Sequence, residues 1–538
     1  QDFQKKVFNR AHTALKQHQN KSRLMQASVD PTCRTHLSQK LDMDDSAPNA
    51  CKAWLLELVH RVAEKTRAAR ETSLTVEAGR VGPADLIGLI DFTTFANVPM
   101  SERDELLVAA RAVRRADKAM GAMVGLAVGD ALGAPFEFMP VVERPGDSGV
   151  YFDLESFAFV GVEKAPEVTL AKKLKVGQWT DDTSMALCLA DSLLTGRYSG
   201  ADVRVRFWNW WHRGYNNAFR NDLHRESRRS VGLGMNVGKS LDAIRSAAPS
   251  PRYEVTSEDS GNGSLMRLAP VPIAFADRLD EAMMVSAESS RTTHPGRIAA
   301  AACHFLGFLI CRALESTHEQ SARELLDQCV PEYLENHARP EHTQLRRLLL
   351  SSEPAGSKEQ CWNWMAPRLE IEASLAARLK DGSYNGYPVN RDYFGAYCMD
   401  GLALALHCFY NSSCFSDAVT RCVNFLGDAD STAAICGQIA GAFYGYTGID
   451  SRFVKRLEAW DNKEVACKAV LLWALGAQTD EIEEPDELMP EETYVEQTLE
   501  LSRLTEMGFS VAEAGCALKR ADGDLERASE LLLCGMDE

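Results

Sequence analysis

Two short segments of this 538-residue chain crowd carboxylates and hydroxyls into a single turn. One is Thr180, Asp181 and Asp182 in QWTDDTSMALCLADSLL, and the other is Asp428, Asp430 and Ser431 in GDADSTAAICGQIAGAFYG. Each stands where a helical pattern begins. Asp, Ser and Thr are ordinary N-caps there, because they accept bonds from free N–H groups and complement the helix dipole. Taken alone, either cluster reads as a cap. A cap needs only one such side chain, however, and crowded carboxylates repel unless a cation neutralises them. Hard oxygen donors without neighbouring Cys or His suit Mg²⁺ or Mn²⁺ rather than zinc. If the two clusters meet, their oxygens suffice for two ions about 3.5 to 4 Å apart, the arrangement of metal-assisted hydrolysis.

Both clusters border helices of an unusual kind. Gly121, Gly125, Gly129 and Gly133 recur every four residues, as do Ala433, Gly437, Gly441 and Gly445. On a helix this spacing gathers each set on nearly one face, where another backbone can approach closely. An interior glycine costs about 0.5–1 kcal/mol relative to alanine, so close packing or function must offset it. The spacing therefore predicts two central helices in close contact. A transmembrane dimer stripe is the competing reading, and Asp130 interrupts the first apolar run against it.

Weaker candidates lie between the clusters. Asn262, Gly263 and Ser264 belong to GNGSLMRLAPVP, whose Gly-Asn-Gly turn offers N–H groups to phosphate or ribose oxygens, although by itself an ordinary loop is the better account. His294, in SSRTTHPG, reads as a ligand contact or a satisfied loop histidine. VGLGMNVGKS looks like a phosphate-binding loop, but GxxxxGK[ST] requires glycine where Leu233 stands, which excludes the nucleoside-triphosphatase reading.

Bulk properties frame these motifs. Hydrophobic residues make up 45% and charged residues 25%, which excludes global disorder. A net charge of -17 argues against a nucleic-acid partner, since phosphate contacts need an excess of Lys and Arg. The fifteen cysteines show no CxxC pair, and Cys188, Cys303, Cys408 and Cys436 sit in apolar helical stretches, as buried thiols of a reducing compartment do. No signal-peptide core and no membrane span is read from the sequence, so the expected location is the cytoplasm, with the nucleus as alternative. Four regions are expected: a helical prefix of unknown role at 1–117, an all-α domain at 118–476, an acidic linker at 477–497 and a three-helix module at 498–538.

In order, GAMVGLAVGDALGAPFEF, GQWTDDTSMALCLADSLL, GNGSLMRLAPVP, SSRTTHPG and GDADSTAAICGQIAGAFYG resemble the ADP-ribosylglycohydrolase family, which includes the dinitrogenase-reductase-activating glycohydrolases. The resemblance implies an all-α fold with a central cleft holding two Mg²⁺ or Mn²⁺. It implies Thr180, Asp181, Asp182, Asp428, Asp430 and Ser431 as ligands and Glu137 as a carboxylate on a loop beside the metals. Glu137, Asp181, Asp182 and Asp430 would then serve catalysis, and Asn262, Gly263, Ser264 and His294 would line the ADP-ribose cleft. YFGAYCMDGLALALHCFY resembles the family too and is read only as helix packing. The implied reaction removes ADP-ribose from an Arg-, Ser- or ubiquitin-linked protein. A catalytically silent ADP-ribose reader and a pyrophosphate-cleaving phosphohydrolase are the competing readings. The C-terminal LTEMGFSVAEAGCALKRADGDLERASELLL resembles a ubiquitin-associated domain. That implies ubiquitin or a ubiquitinated protein as partner, with Met507, Gly508, Phe509, Leu531 and Leu532 as the binding patch. From Glu332 to Asn390 no catalytic counterpart is recognised.

Overall fold

The computed structural model of the chain describes residues 49–78, 95, 98–144, 146–164, 174–195, 198–246, 249–255, 258–317, 319–476 and 527. The chain divides into two units, 1–478 and 479–538. Met507, Gly508, Phe509, Leu531, Leu532 and the acidic stretch lie outside the described residues. All the described helices and strands named below belong to the first unit.

That unit is all-α apart from two short hairpins. Helices α1 (Asn49–Ala78), α2 (Met100–Ala110) and α3 (Arg114–Gly133) come first, and a 3-10 turn (Ala134–Phe136) follows α3 directly. Strands β1 (Tyr151–Asp153) and β2 (Ala158–Val160) pair antiparallel, Phe152 opposite Phe159. Next come α4 (Asp181–Leu193), α5 (Gly200–Arg213), α6 (Met235–Asp242), a 3-10 turn at Asn262–Ser264 and α7 (Pro270–Ala274). Helices α8 (Leu279–Arg291), α9 (Arg297–Glu315), α10 (Ala322–Asn336), α11 (Thr343–Leu350) and α12 (Ile371–Leu379) precede the hairpin β3 (Ser383–Tyr384) and β4 (Tyr387–Pro388). The unit closes with α13 (Cys398–Tyr410), α14 (Phe415–Val423), α15 (Ala429–Tyr444), α16 (Ser451–Asp461) and α17 (Glu464–Leu475).

The two glycine-striped segments are α3 and α15, and they pack on each other along their length. A Cβ added at Gly121, Gly125, Gly129 or Gly133 would lie 2.2, 2.2, 2.1 and 2.4 Å from the carbonyl oxygens of Gly441, Gly437, Ala433 and Ala429 respectively. The partners run in opposite directions, so the helices are antiparallel. No side chain larger than hydrogen fits at these glycines. Antiparallel packing also brings the C-terminal end of α3, with Asp130, beside the N-terminal end of α15, with Asp428 and Asp430.

Around this pair pack α17 against α3, and α9, α13 and α14 against α15. By length and composition α3 and α9 are each apolar enough to cross a membrane, a longer apolar run than the sequence reading allowed. Yet 89% and 83% of their apolar windows are buried inside the protein, which marks core helices. Cys188, Cys303, Cys408 and Cys436 are buried and unpaired, as expected.

Leu55, Leu58, Val59 and Val62 of α1 and Leu106 and Leu107 of α2 join the same apolar core as the rest of the unit. Arg103 of α2 donates from Nη1 to the Asn462 carbonyl (2.8 Å), tying the prefix to the turn between α16 and α17. The change of texture near residue 118 marks the onset of the glycine stripe inside α3, which begins at Arg114.

The stretch 332–390 packs by its own aromatic residues. Trp362 and Trp364 are fully buried. Asp400 of α13 receives bonds from Trp362 Nε1 (2.8 Å) and from both terminal nitrogens of Arg378 of α12 (2.5 and 2.9 Å). This buried bidentate pair fastens α12 to α13.

Candidate active site

Neither acidic cluster caps its helix in the ordinary way. Thr180 and Asp428 stand at the N-cap positions of α4 and α15, and neither side chain takes a capping bond. Helix α4 is capped instead by Asp130, from α3. Asp130 Oδ1 accepts from Thr180 N (2.9 Å), and Oδ2 accepts from Thr183 N (2.9 Å) and Thr183 Oγ1 (2.6 Å). Thr180 Oγ1 lies 2.9 Å from Asp130 Oδ1 and 2.8 Å from Asp182 Oδ2. Its single hydrogen serves one of them, so the other oxygen faces a lone pair.

Two carboxylate groups result. Oxygens of Asp130, Asp182 and Asp430 lie within 4.8 Å of one another, as do oxygens of Glu137, Asp428 and Asp430. Asp430 belongs to both. Asp428 is held from two sides, by Asn262 Nδ2 on Oδ2 (2.6 Å) and by the Tyr393 hydroxyl on Oδ1 (3.0 Å). Asp182 Oδ1 and Glu137 Oε2 are buried without a hydrogen-bond partner among the described residues. An ionised carboxylate oxygen buried that way is costly, and a cation is the partner its chemistry calls for.

Electrostatics point the same way. Burial first, and then repulsion from neighbouring carboxylates, pushes Asp181, Asp182, Asp430 and Glu137 well above the ordinary carboxylate range. Asp130 is also raised, by burial. Burial raises Asp428 to about 6, against the bonds from Asn262 and Tyr393. Without counter-charge these groups cannot all be ionised near neutrality. Divalent cations supply that charge, and an all-oxygen donor set suits Mg²⁺ or Mn²⁺. The residues present fit such a group.

The expected site residues divide on inspection. Asp182, Asp428, Asp430 and Glu137 converge, with Thr180 beside them. Asp181 joins neither carboxylate group: a Cβ at Gly232 would lie 2.2 Å from its Oδ1, so the carboxylate abuts the 231–234 loop. Ser431 Oγ donates to Met266 Sδ (3.5 Å). Asn262 reaches the site directly, since the same amide also donates to the Gly395 carbonyl (3.0 Å). Gly263 lies against the His294 ring, 3.2 Å from added Cβ to Nε2. Ser264 turns inward, accepting from Ser290 Oγ (2.8 Å) and Cys303 Sγ (3.4 Å), fully buried.

Sequence reasoning missed Asp130 and Tyr393. For Asp130 a signal existed: a lone carboxylate inside a helix of small and apolar residues, next to Gly129, must find buried donors. Nothing in the sequence set Tyr393 apart from neighbouring aromatic residues.

With this geometry established, comparison with known proteins is informative. The family described as ADP-ribosylglycohydrolase matches residues 111–484. The chain is 29% identical over 342 residues to an ADP-ribosylarginine hydrolase, Tri1, of Serratia proteamaculans (strain 568), covering 63% of this chain and 75% of the relative. It is 26% identical over 361 residues to the ADP-ribosyl-[dinitrogen reductase] glycohydrolase of Rhodospirillum rubrum, covering 67% and 97%. With ADP-ribosylhydrolase ARH3 of Gallus gallus it shares 24% identity over 366 residues, covering 64% and 90%. The matched span contains α3, α4 and α15 and every described carboxylate of the site, and the chain belongs to the ADP-ribosylglycohydrolase family.

Proposed function

We propose that this chain hydrolyses the glycosidic bond between ADP-ribose and a protein side chain, with ADP-ribosylarginine as the first substrate to test. The observation that carries the proposal is the convergence of two carboxylate groups on the shared Asp430. Asp130, Asp182 and Asp430 would hold one divalent ion and Glu137, Asp428 and Asp430 a second, with Thr180 beside the first. Ions bound there supply positive charge for ribose hydroxyls and for an attacking water.

The chain's own groups do the rest. Cleavage at the anomeric carbon develops oxocarbenium-like positive charge, which a dense carboxylate cluster stabilises. Glu137 is the least buried member of the cluster, and its Oε2 has no hydrogen-bond partner among the described residues. It is the carboxylate best placed to take a proton from water. Asn262 and Tyr393 hold Asp428 in orientation. The names of the Serratia and Rhodospirillum relatives favour an arginine or protein-linked substrate.

The test is a metal-supplemented assay on Arg-, Ser- and ubiquitin-linked ADP-ribose, reading the released product by mass. Release of ADP-ribose, abolished by chelator and by Asp430→Ala, is expected. Turnover that persists without metal, or AMP as product, would refute the proposal.

The C-terminal resemblance adds a targeting proposal: Met507, Gly508, Phe509, Leu531 and Leu532 bind ubiquitin and direct the enzyme to ubiquitinated substrates. Its support is the sequence motif alone. Titrating the full chain with ubiquitin should show binding that Met507→Ala with Phe509→Ala abolishes. Absence of binding by the unmodified chain would end this reading.

A further inference from the structure

Beneath the Asn262–Ser264 turn lies a cation that the carboxylate site does not use. Arg267 is 1% exposed, and its guanidinium carbon lies 4.6 Å from the centre of the Phe207 ring. Its Nη1 donates to the Gly263 carbonyl (2.9 Å). Its Nη2 donates to Thr293 Oγ1 (2.7 Å), with longer bonds to Thr292 Oγ1 (3.2 Å) and the Ser289 carbonyl (3.3 Å). One guanidinium thus joins the Gly263 turn to the loop that follows α8. Thr293 Oγ1 lies in turn 2.8 Å from His294 Nδ1.

The direction of these bonds is set by the donors available. A guanidinium has no acceptor, so Thr293 Oγ1 accepts from Arg267. The hydroxyl keeps one hydrogen, and among the described residues the acceptor in reach is His294 Nδ1. Were Nδ1 protonated, both neighbours would donate to Oγ1 and the hydroxyl hydrogen would be buried without an acceptor. That arrangement costs about 1–3 kcal/mol. Burial and the positive charge of Arg267 disfavour the imidazolium, against Asp259, which favours it. The proton of the neutral ring is then left for Nε2. Nε2 has no hydrogen-bond partner among the described residues, and the ring lies against Gly261 and Gly263, where an added Cβ would stand 3.4 and 3.2 Å from Nε2. Glycine at both positions keeps a Cβ off that edge of the ring.

We infer that Arg267 and Thr293 are positioning residues that hold His294 as a neutral imidazole protonated on Nε2, a fixed donor for an oxygen of bound ADP-ribose. The identity of the acceptor rests on the function proposed above. The position of the proton does not.

Two-bond ¹H–¹⁵N correlation spectra of the full chain, labelled on histidine nitrogen and assigned by the missing signal in His294→Asn, read the proton directly. The neutral Nε2-protonated pattern is expected near pH 7. Thr293→Ser keeps the hydroxyl and should keep both the pattern and ADP-ribose affinity within about twofold. Thr293→Val removes the hydroxyl with little change of shape. It should give a tautomer mixture and weaken ADP-ribose binding roughly tenfold, the loss of one hydrogen bond. An Nδ1-protonated or imidazolium pattern in the unmodified chain, or an unchanged pattern in Thr293→Val, would overturn the inference. The expected pattern together with unchanged ADP-ribose affinity in His294→Asn would instead overturn ADP-ribose as the acceptor and leave the proton assignment standing.

Discussion

Gly441→Ala adds one methyl group where α3 and α15 touch backbone to backbone. The new Cβ would stand 1.9 Å from the Gly121 carbonyl oxygen and 2.4 Å from its carbon, whereas ordinary contact begins at 3.4 Å. The shortfall to the oxygen is 3.4 − 1.9 = 1.5 Å. No rotamer relieves it, because both contacting atoms are backbone, so the helices must separate or bend and loosen the rows beside them. Overpacking of well-fitted cores costs about 1–3 kcal/mol and more when the obstacle cannot move. Alanine returns about 1 kcal/mol of helix propensity. From the upper end of that range, about 3 kcal/mol for an obstacle that is all backbone, the expected net loss is about 2 kcal/mol or more, a large share of the roughly 5–15 kcal/mol that holds a domain folded. Urea unfolding at fixed Mg²⁺ measures it, with Gly238→Ala in α6 as control. There the nearest atom to an added Cβ is Leu233 Cδ2 at 3.4 Å, so the same substitution should be neutral or stabilising by up to about 1 kcal/mol. Activity separates the two ends of the interface. Gly441 lies eleven residues beyond Asp430, about 16 Å along the helix, so folded Gly441→Ala should retain most of its turnover per molecule. Gly129→Ala, with its Cβ 2.1 Å from the Ala433 carbonyl and beside Asp130, should lose turnover as well as stability. Stability of Gly441→Ala equal to that of the unmodified chain would refute the claim that glycine is required by helix contact.

Other consequences can be measured in the same preparations. Chelation should lower the melting temperature and Mg²⁺ or Mn²⁺ restore it, since a ligand that binds only the folded state stabilises it by mass action. Asp430→Asn, which touches both carboxylate groups, should abolish that metal-dependent shift and reduce turnover by at least about 100-fold, the scale of lost electrostatic stabilisation. Arg378→Met leaves the buried Asp400 carboxylate with Trp362 Nε1 and the weaker donor Cys361 Sγ but no cation among its described bonds, so a loss of about 3–5 kcal/mol is expected in urea unfolding. Asp461 accepts from the Lys463 (2.8 Å) and Val465 (3.1 Å) backbone N–H groups at the start of α17, and burial raises it to about 6. A raised folded-state value means stability that is complete below about pH 4 and is lost as pH rises through about 6. The contribution is on the order of 3 kcal/mol. Asp461→Asn should flatten the stability profile between about pH 4 and 6 relative to the unmodified chain, and an unchanged slope would refute the assignment.

What was legible in the sequence was periodicity, and what was hidden was pairing across distance. Glycine at every fourth position foretold close helix contact, and Asp428 and Asp430 at the mouth of the second stripe stand where the carboxylates converge. Direction within a turn was not legible. Asp181 and Asp182 are neighbours in sequence, but successive residues of a helix point about 100° apart. In consequence Asp182 lies with Asp130 and Asp430, while Asp181 sets one oxygen against Gly232 and stays near enough to Asp130 and Asp428 for their charge to raise it. Asp130 was hidden because its partners, Thr180 and Thr183, are some fifty residues away. The place of the Ser264 hydroxyl was not legible either, since it bonds to Ser290 and Cys303, twenty-six and thirty-nine residues away.

These differences share one cause. The carboxylates come from the C-terminal end of α3 and the N-terminal ends of α4 and α15, and only the register of the α3–α15 contact makes those ends coincide. Helix N-termini favour negative charge, so α4 and α15 partly offset the repulsion of the carboxylates they carry. Asp130, at the unfavourable end of its own helix, is held by the free N–H groups of α4 instead. The glycines that weaken α3 and α15 as isolated helices are therefore what allows four carboxylates from three helices to share one small volume. A longer side chain at Gly129 would press on Ala433 and Ala434 and so move Asp130 and Asp430 apart without touching either carboxylate.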